Sequence, residues 1–150
     1  MDFPSDFNAL LALFNAHGVE YVIVGGYALA QYGAPRFTGD IELLVKADAE
    51  NAKNTLAALD AFGFASLGLT VEDFDSADQF VQLGFAPQRI DVTTSITGVT
   101  WEEVHAGRVP GLYGDVPVSF IGRAQLVANK RASGTEQDLA DLEALGEAAE

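Results

Sequence analysis

The chain has no cysteine, which rules out disulfides, zinc–thiolate centres and thiol catalysis. Basic residues are scarce: eight Lys and Arg stand against 22 Asp and Glu, for a formal net charge of −14. Such a field repels polyanions, so direct binding to long DNA or RNA is not expected. Compact phosphates are still accessible where a metal ion and a few local cations overcome the mean field. No apolar run reaches 18 residues, so no membrane-spanning helix is expected. The amino terminus, MDFPSDFNAL, lacks a basic stretch followed by a long apolar one. These absences together lead us to expect a soluble, cytoplasmic protein. His17 and His105 are isolated in the sequence and read as structural or surface positions, and Trp101 and the phenylalanines read as core or patch residues. There is no GxxxxGK[ST] loop, no low-complexity segment and no repeat of solenoid period.

What is present is a chain of 150 residues, about half apolar, long enough for one domain with a substantial core. Phe7, Leu10, Leu11 and Phe14 recur at helical spacing within 5–16, with Ser5 as an N-cap and Gly18 as a stop. Tyr21 to Val24 reads as a buried strand ending at Gly25-Gly26, and Tyr27 to Tyr32 as a short helix broken by Gly33-Ala34-Pro35. In the strand Asp40 to Val45, Ile41, Leu43 and Val45 share one face and Asp40 and Glu42 the other. A helix is expected over 48–62, capped by Asp48, and 66–78 reads as a solvated edge without a definite element. Gln79 to Phe85 and Arg89 to Thr94 read as strands joined through Pro87, 100–106 as a short helix and Val116 to Ile121 as a strand. Helices over 123–132 and 136–148 follow. The expected class is α/β (α+β), one domain over 1–150, with a mixed sheet of about five strands flanked by helices and a helical C-terminal part at about 122–148.

Three acids carry the chemistry. Asp40 and Glu42, two apart on a strand, lie roughly 6–7 Å apart and point the same way, which suits the bridging of hard cations by oxygen donors. Asp91 lies between Ile90 and Val92 in RIDVTT, so it faces away from the core, and Arg89 shares its face, able to pair with an acid or to contact phosphate. Whether these strands are neighbours is a matter of register that alternation alone does not fix; solvated strand acids are the alternative. Gly25-Gly26 permits close approach of a phosphate to backbone N–H groups, and equally a plain tight turn.

The order Val24-Gly25-Gly26, Asp40-Ile41-Glu42 and a later strand Asp91 resembles the nucleotidyltransferase fold superfamily (polymerase β-like). PRFTGDIELLV, RIDVTTSITGVTWEEV and LVANKRASGTEQDLADLEAL look like blocks of the bacterial minimal nucleotidyltransferases and the AbiEii-type toxin group, so the resemblance touches most of the chain. It implies that Asp40, Glu42 and Asp91 are catalytic and hold two Mg²⁺ ions, and that Gly25 and Gly26 support the triphosphate. It further implies that Arg36, Thr38 and Lys130 help to bind the nucleotide. The implied activity is transfer of an NMP, AMP first among the candidates, from an NTP to a hydroxyl acceptor: a protein, a tRNA end or a small molecule. A role in a toxin–antitoxin or defence pair, with a protein partner, is implied as well.

Three departures bear on activity. Glu42 stands where Asp is commoner in that group, Thr135-Glu136-Gln137-Asp138 stands where basic residues are frequent, and the chain ends soon after the core blocks. The second reading is therefore a catalytically silent nucleotide-binding or partner-binding module of the same fold.

Overall fold

A computed structural model describes residues 5–34, 40–85 and 88–147. Among the described residues, β1 (Tyr21–Val24), β2 (Asp40–Val45), β3 (Phe80–Phe85), β4 (Gln88–Thr93), β5 (Val109–Tyr113) and β6 (Val116–Phe120) form one sheet in the order β3-β4-β2-β1-β6-β5. The sheet is mixed: β2 runs antiparallel to β1 and parallel to β4, β3 is antiparallel to β4, β1 is parallel to β6, and β6 is antiparallel to β5. The helices are α1 (Ser5–Ala16), α2 (Gly26–Gln31), α3 (Ala49–Leu59), α4 (Trp101–Gly107), α5 (Arg123–Ser133) and α6 (Glu136–Ala144). None is long and apolar enough to cross a membrane.

The sheet has six strands rather than the expected five; the extra one is β5. Its sequence, VPGLY, places Pro110 and Gly111 side by side and carries no strand signal. It is the outermost strand, and a proline is tolerated at an edge because it need not donate to a neighbour. The segment 66–78, which had no expected element, holds single turns of 3₁₀ helix; over Val71–Asp73, Thr70 and Asp73 cap each other reciprocally. Ser5 is the first residue of α1 rather than its cap.

β2 is the hinge of the packing. Ile41, Leu43 and Val45 are buried on one face, continuous with Ile90, Val92 and Leu83 of the neighbouring strands. Phe7, Leu10, Leu11 and Phe14 of α1 also lie in the core, as the helical spacing predicts. On the other face of β2 only Leu44 is buried; Asp40 and Glu42 are half-buried.

The entry to β1 and the exit from β2 are tied together by one buried polar side chain. Asn51, in the first turn of α3, accepts from the Glu20 N–H at 2.8 Å and donates to the carbonyls of Glu20 and Lys46 at 3.0 and 2.9 Å. Its own N–H is taken by the Asp48 cap at 2.7 Å. The side chain thus satisfies the Glu20 N–H and adds a second donor to two carbonyls that already accept from the Lys46 and Asp48 N–H groups, fixing α3 against the two strands that precede it. Asn51→Ala leaves the Glu20 N–H unpaired, while the Glu20 and Lys46 carbonyls still accept from the Lys46 and Asp48 N–H groups, and costs about 1–3 kcal/mol. Chemical denaturation should show a lower midpoint with an unchanged m-value.

Candidate active site

The register of the sheet brings the three acids together. β2 and β4 pair Asp40 with Arg89 and Glu42 with Asp91, so all four side chains leave one face of the sheet. Glu42 and Asp91 sit on adjacent strands, roughly 4.8 Å apart at their Cα atoms, and Asp40 is two residues up the strand. The strand adjacency that alternation left open is thus present.

The Gly-Gly turn completes one side. β1 ends at Val24, register-paired with Glu42, and Gly25 follows at φ 74°, ψ −147°, a conformation that side chains with a Cβ avoid. A Cβ on Gly25 would lie 2.5 Å from the Glu42 carboxyl carbon. Glycine is therefore demanded twice, by backbone conformation and by the Glu42 carboxylate packed against the turn. Gly26 opens α2, whose fourth residue, Leu29, donates its N–H to the Gly25 carbonyl at 3.0 Å.

Two neutral or basic neighbours hold the acids. Arg89 Nε lies 3.8 Å from Asp40 Oδ1, and the same guanidinium donates to Gln82 Oε1 at 3.3 Å. Gln82, register-paired with Asp91 from β3, donates its amide to Asp91 Oδ1 at 2.9 Å. Burial pushes the Asp91 carboxyl above the ordinary range; the Gln82 hydrogen bond opposes this, the Asp40 charge adds to it and Arg89 again opposes it. Gln82 was missed at sequence level. Its only signal is a polar residue in the apolar run FVQLGF, and its meaning depends on which residue of β4 it faces.

Donor chemistry fits a hard divalent cation, because all three acids present oxygen from one face of adjoining strands. The side chains as placed are not grouped for it: among the described residues, no three His, Asp or Glu side chains form a cluster able to hold a metal. Arg89 and Gln82 occupy Asp40 and Asp91, and Glu42 lies against Gly25.

Arg36 and Thr38 lie outside the described residues. Lys130, expected to face phosphate, is instead buried between α5 and α6. Its ammonium lies 3.3 Å from Asp138 and 3.0 Å from Asp141, with only 8% of the side chain exposed. Asp138 also accepts from the Thr135 hydroxyl at 2.7 Å and N–H at 3.1 Å. The acidic stretch after Gly134, a departure from the expected basic pattern, therefore supplies the counter-charges for Lys130 and the cap of α6.

No protein-family model matches the chain, and no curated protein matches it significantly in sequence. Among solved structures, the chain is similar to the antibiotic-resistance factor ANT(2'')-Ia, with a TM-score of 0.59 and 12% identity over 94% of this chain and 80% of that one. It is also similar to the lincosamide antibiotic adenylyltransferase LnuA in its lincomycin-bound form, with a TM-score of 0.56 and 15% identity over 95% of this chain and 96% of the other. With its mixed sheet flanked by helices, this chain has the nucleotidyltransferase fold.

Two substitutions test these placements. Asp91→Asn removes a charge that the site disfavours while keeping an acceptor for Gln82. It should raise Tm at pH 7 by about 1–3 °C, on the scale at which 1 kcal/mol moves a chain of this size by about 2–4 °C. The sign follows from the raised pKa: the cost of Asp91 builds as the pH rises from the unfolded-state value to the folded-state one, is full above both, and is absent when both states are protonated. The gain should therefore vanish near pH 3. Lys130→Ala strands two buried carboxylates and should cost about 3–5 kcal/mol by denaturant melt.

Proposed function

We propose that the protein is a metal-dependent nucleotidyltransferase that moves an NMP, AMP in the first instance, from an NTP to a hydroxyl acceptor. One observation carries this reading: the parallel β2–β4 register sets Asp40, Glu42 and Asp91 on one face beside the Gly25-Gly26 turn. The fold supports it, and the likeness to LnuA, a lincosamide antibiotic adenylyltransferase, favours the adenylyl group.

In this reading the triphosphate lies beside Gly25-Gly26, against the Glu42 carboxylate that packs on that turn. Asp40, Glu42 and Asp91 would hold Mg²⁺, which supplies Lewis-acid stabilisation of the triphosphate and of the leaving pyrophosphate. Holding it requires Asp40 to part from Arg89. The released guanidinium is then placed to meet phosphate charge, the second of the two roles open to it from sequence. Asp91, on the strand beside Glu42, is suited by position to take the acceptor's hydroxyl proton as that oxygen attacks the α-phosphorus and pyrophosphate departs.

The engagement of Asp40 by Arg89 and of Asp91 by Gln82 favours a second reading, a silent nucleotide-binding module in which those contacts persist. Thermal melts with Mg²⁺ and each NTP address both. At 100-fold excess over Kd, binding adds about 2.7 kcal/mol, or roughly 5–10 °C here. Wild type should show that rise and Asp40→Ala/Glu42→Ala should lose most of it; no rise with any NTP would sink both readings. Transfer of labelled nucleotide that disappears in Asp91→Ala marks an enzyme, and binding without transfer to any acceptor marks the silent module.

A further inference from the structure

Away from the acids, a cavity of about 390 Å³ lies between the end of α1, the start of β1, the C-terminal end of α4 and β6. Its lining includes Glu20, Tyr21, His105, Arg108, Val118 and Ser119, and none of Gly25, Asp40, Glu42 or Asp91. β1 runs from the cavity to the Gly-Gly turn, so Tyr21 and Gly25 are separated by roughly 13 Å at strand rise. The walls are tied to each other. The Tyr21 hydroxyl donates to Asn15 Oδ1 at 2.9 Å, and the Asn15 amide donates to the Pro117 carbonyl at 2.8 Å, which clips α1 to the first residues of β1 and β6. Among the described residues, Lys46, Arg89, Arg123, Lys130 and Arg131 each lie within ion-pair distance of a carboxylate. Arg108 does not. Its guanidinium donates to the His105 carbonyl in the last turn of α4, which leaves most of its N–H donors uncommitted. Lys53 also lacks such a partner among the described residues, but it is exposed on α3 and outside this lining. Glu20, in the same lining as Arg108, is held by Lys46 instead, at 3.7 Å. The chain has 22 acids for eight basic residues, yet this guanidinium lines a cavity and pairs with no described carboxylate.

We propose that this cavity binds a small monocarboxylate with a compact apolar body, at a site separate from the acid face. The carboxylate is chosen by the planar fork of Arg108, which meets two oxygens at once. A single negative charge is chosen by the surroundings. Glu20 lines the same cavity and the chain carries a formal net charge of −14, so a second charge on the ligand adds repulsion that Arg108 alone does not offset. The apolar body is chosen by Val19 and Val118, each 8% exposed, together with Pro117 and Tyr21. The volume stands at the small end of ligand sites, which suits one ring or a short chain and not a nucleotide. The proposal does not depend on the nucleotidyl reading, because none of the described residues assigned to that reaction lines the cavity.

The test titrates four probes against the ¹⁵N-labelled full chain: benzoate, its neutral isostere benzamide, acetate, which lacks the body, and phenyl phosphate, which adds charge. Benzoate should bind about 10-fold or more tightly than benzamide or acetate, and about 3-fold or more tightly than phenyl phosphate. Amide shifts should cluster at 19–21, 105–108 and 118–119. Arg108→Gln should weaken benzoate about 10-fold, and Arg108→Lys, which keeps the charge but loses the fork, about 3-fold. Both variants should keep the unliganded Tm within about 2 °C, because the side chain is exposed. Glu20→Gln should bring phenyl phosphate closer to benzoate. Benzamide or acetate binding as tightly as benzoate, shifts clustered elsewhere, or an unchanged affinity in Arg108→Gln would overturn the site. Tighter binding of phenyl phosphate than of benzoate would overturn the monocarboxylate assignment. Saturating Mg²⁺–ATP should leave the benzoate affinity within about 2-fold; mutual displacement would overturn the separation from the acid face. Benzoate binding that persists where Mg²⁺–ATP gives no stabilisation supports the site and tells against the nucleotidyl reading alone.

Discussion

The parallel pairing of β2 with β4 is the constraint on which the rest depends. β2 has one face wholly committed to the core through Ile41, Leu43 and Val45, so a slip of one residue would bury Asp40 and Glu42 and expose three large aliphatic side chains. Hydrophobic burial therefore locks the register, and the register decides that Glu42 faces Asp91 and that Asp40 faces Arg89. The site's geometry is a by-product of core packing: apolar residues on one face of two strands set the spacing of the acids on the other.

Placing like charges together has a cost that the structure offsets locally. Arg89 lies against Asp40, Gln82 donates to Asp91, and Glu42 rests on a turn with no Cβ atom to obstruct it. Burial still holds the Asp91 proton more tightly than usual. In the C-terminal part the same balance is struck with the opposite sign: Lys130, carried inside by α5, meets two carboxylates from α6. Buried ion groups of this kind contribute little net stability when intact and much instability when one partner is lost, so they act to specify how the helices dock.

Much of the fold was legible because it rests on short-range rules. α1 followed from apolar spacing, α3 with its Asp48 cap was expected over 48–62, and β2 and β4 followed from alternation. Strand β5 was not legible: VPGLY has neither alternation nor β-branched density to mark it beyond Val109, and it is a strand because β6 offers it a ladder. Lys130 illustrates the reverse error. A cation near a helix C-terminus reads as solvent-facing or ligand-facing, and only the docking of α6 shows that Asp138 and Asp141 are waiting for it.

The sequence by itself determined the parts: which residues are acids on a strand face, where glycine interrupts a strand, and that the overall field is negative. Those follow from side-chain type and a period of two, which are properties of a segment. Tertiary structure alone decided the neighbours: that Glu42 meets Gly25, that Gln82 and not a basic residue holds Asp91, and that Arg108 lines a cavity and pairs with no described carboxylate. Such contacts join residues many positions apart, and their free energy comes from long-range packing and register, which no local pattern encodes.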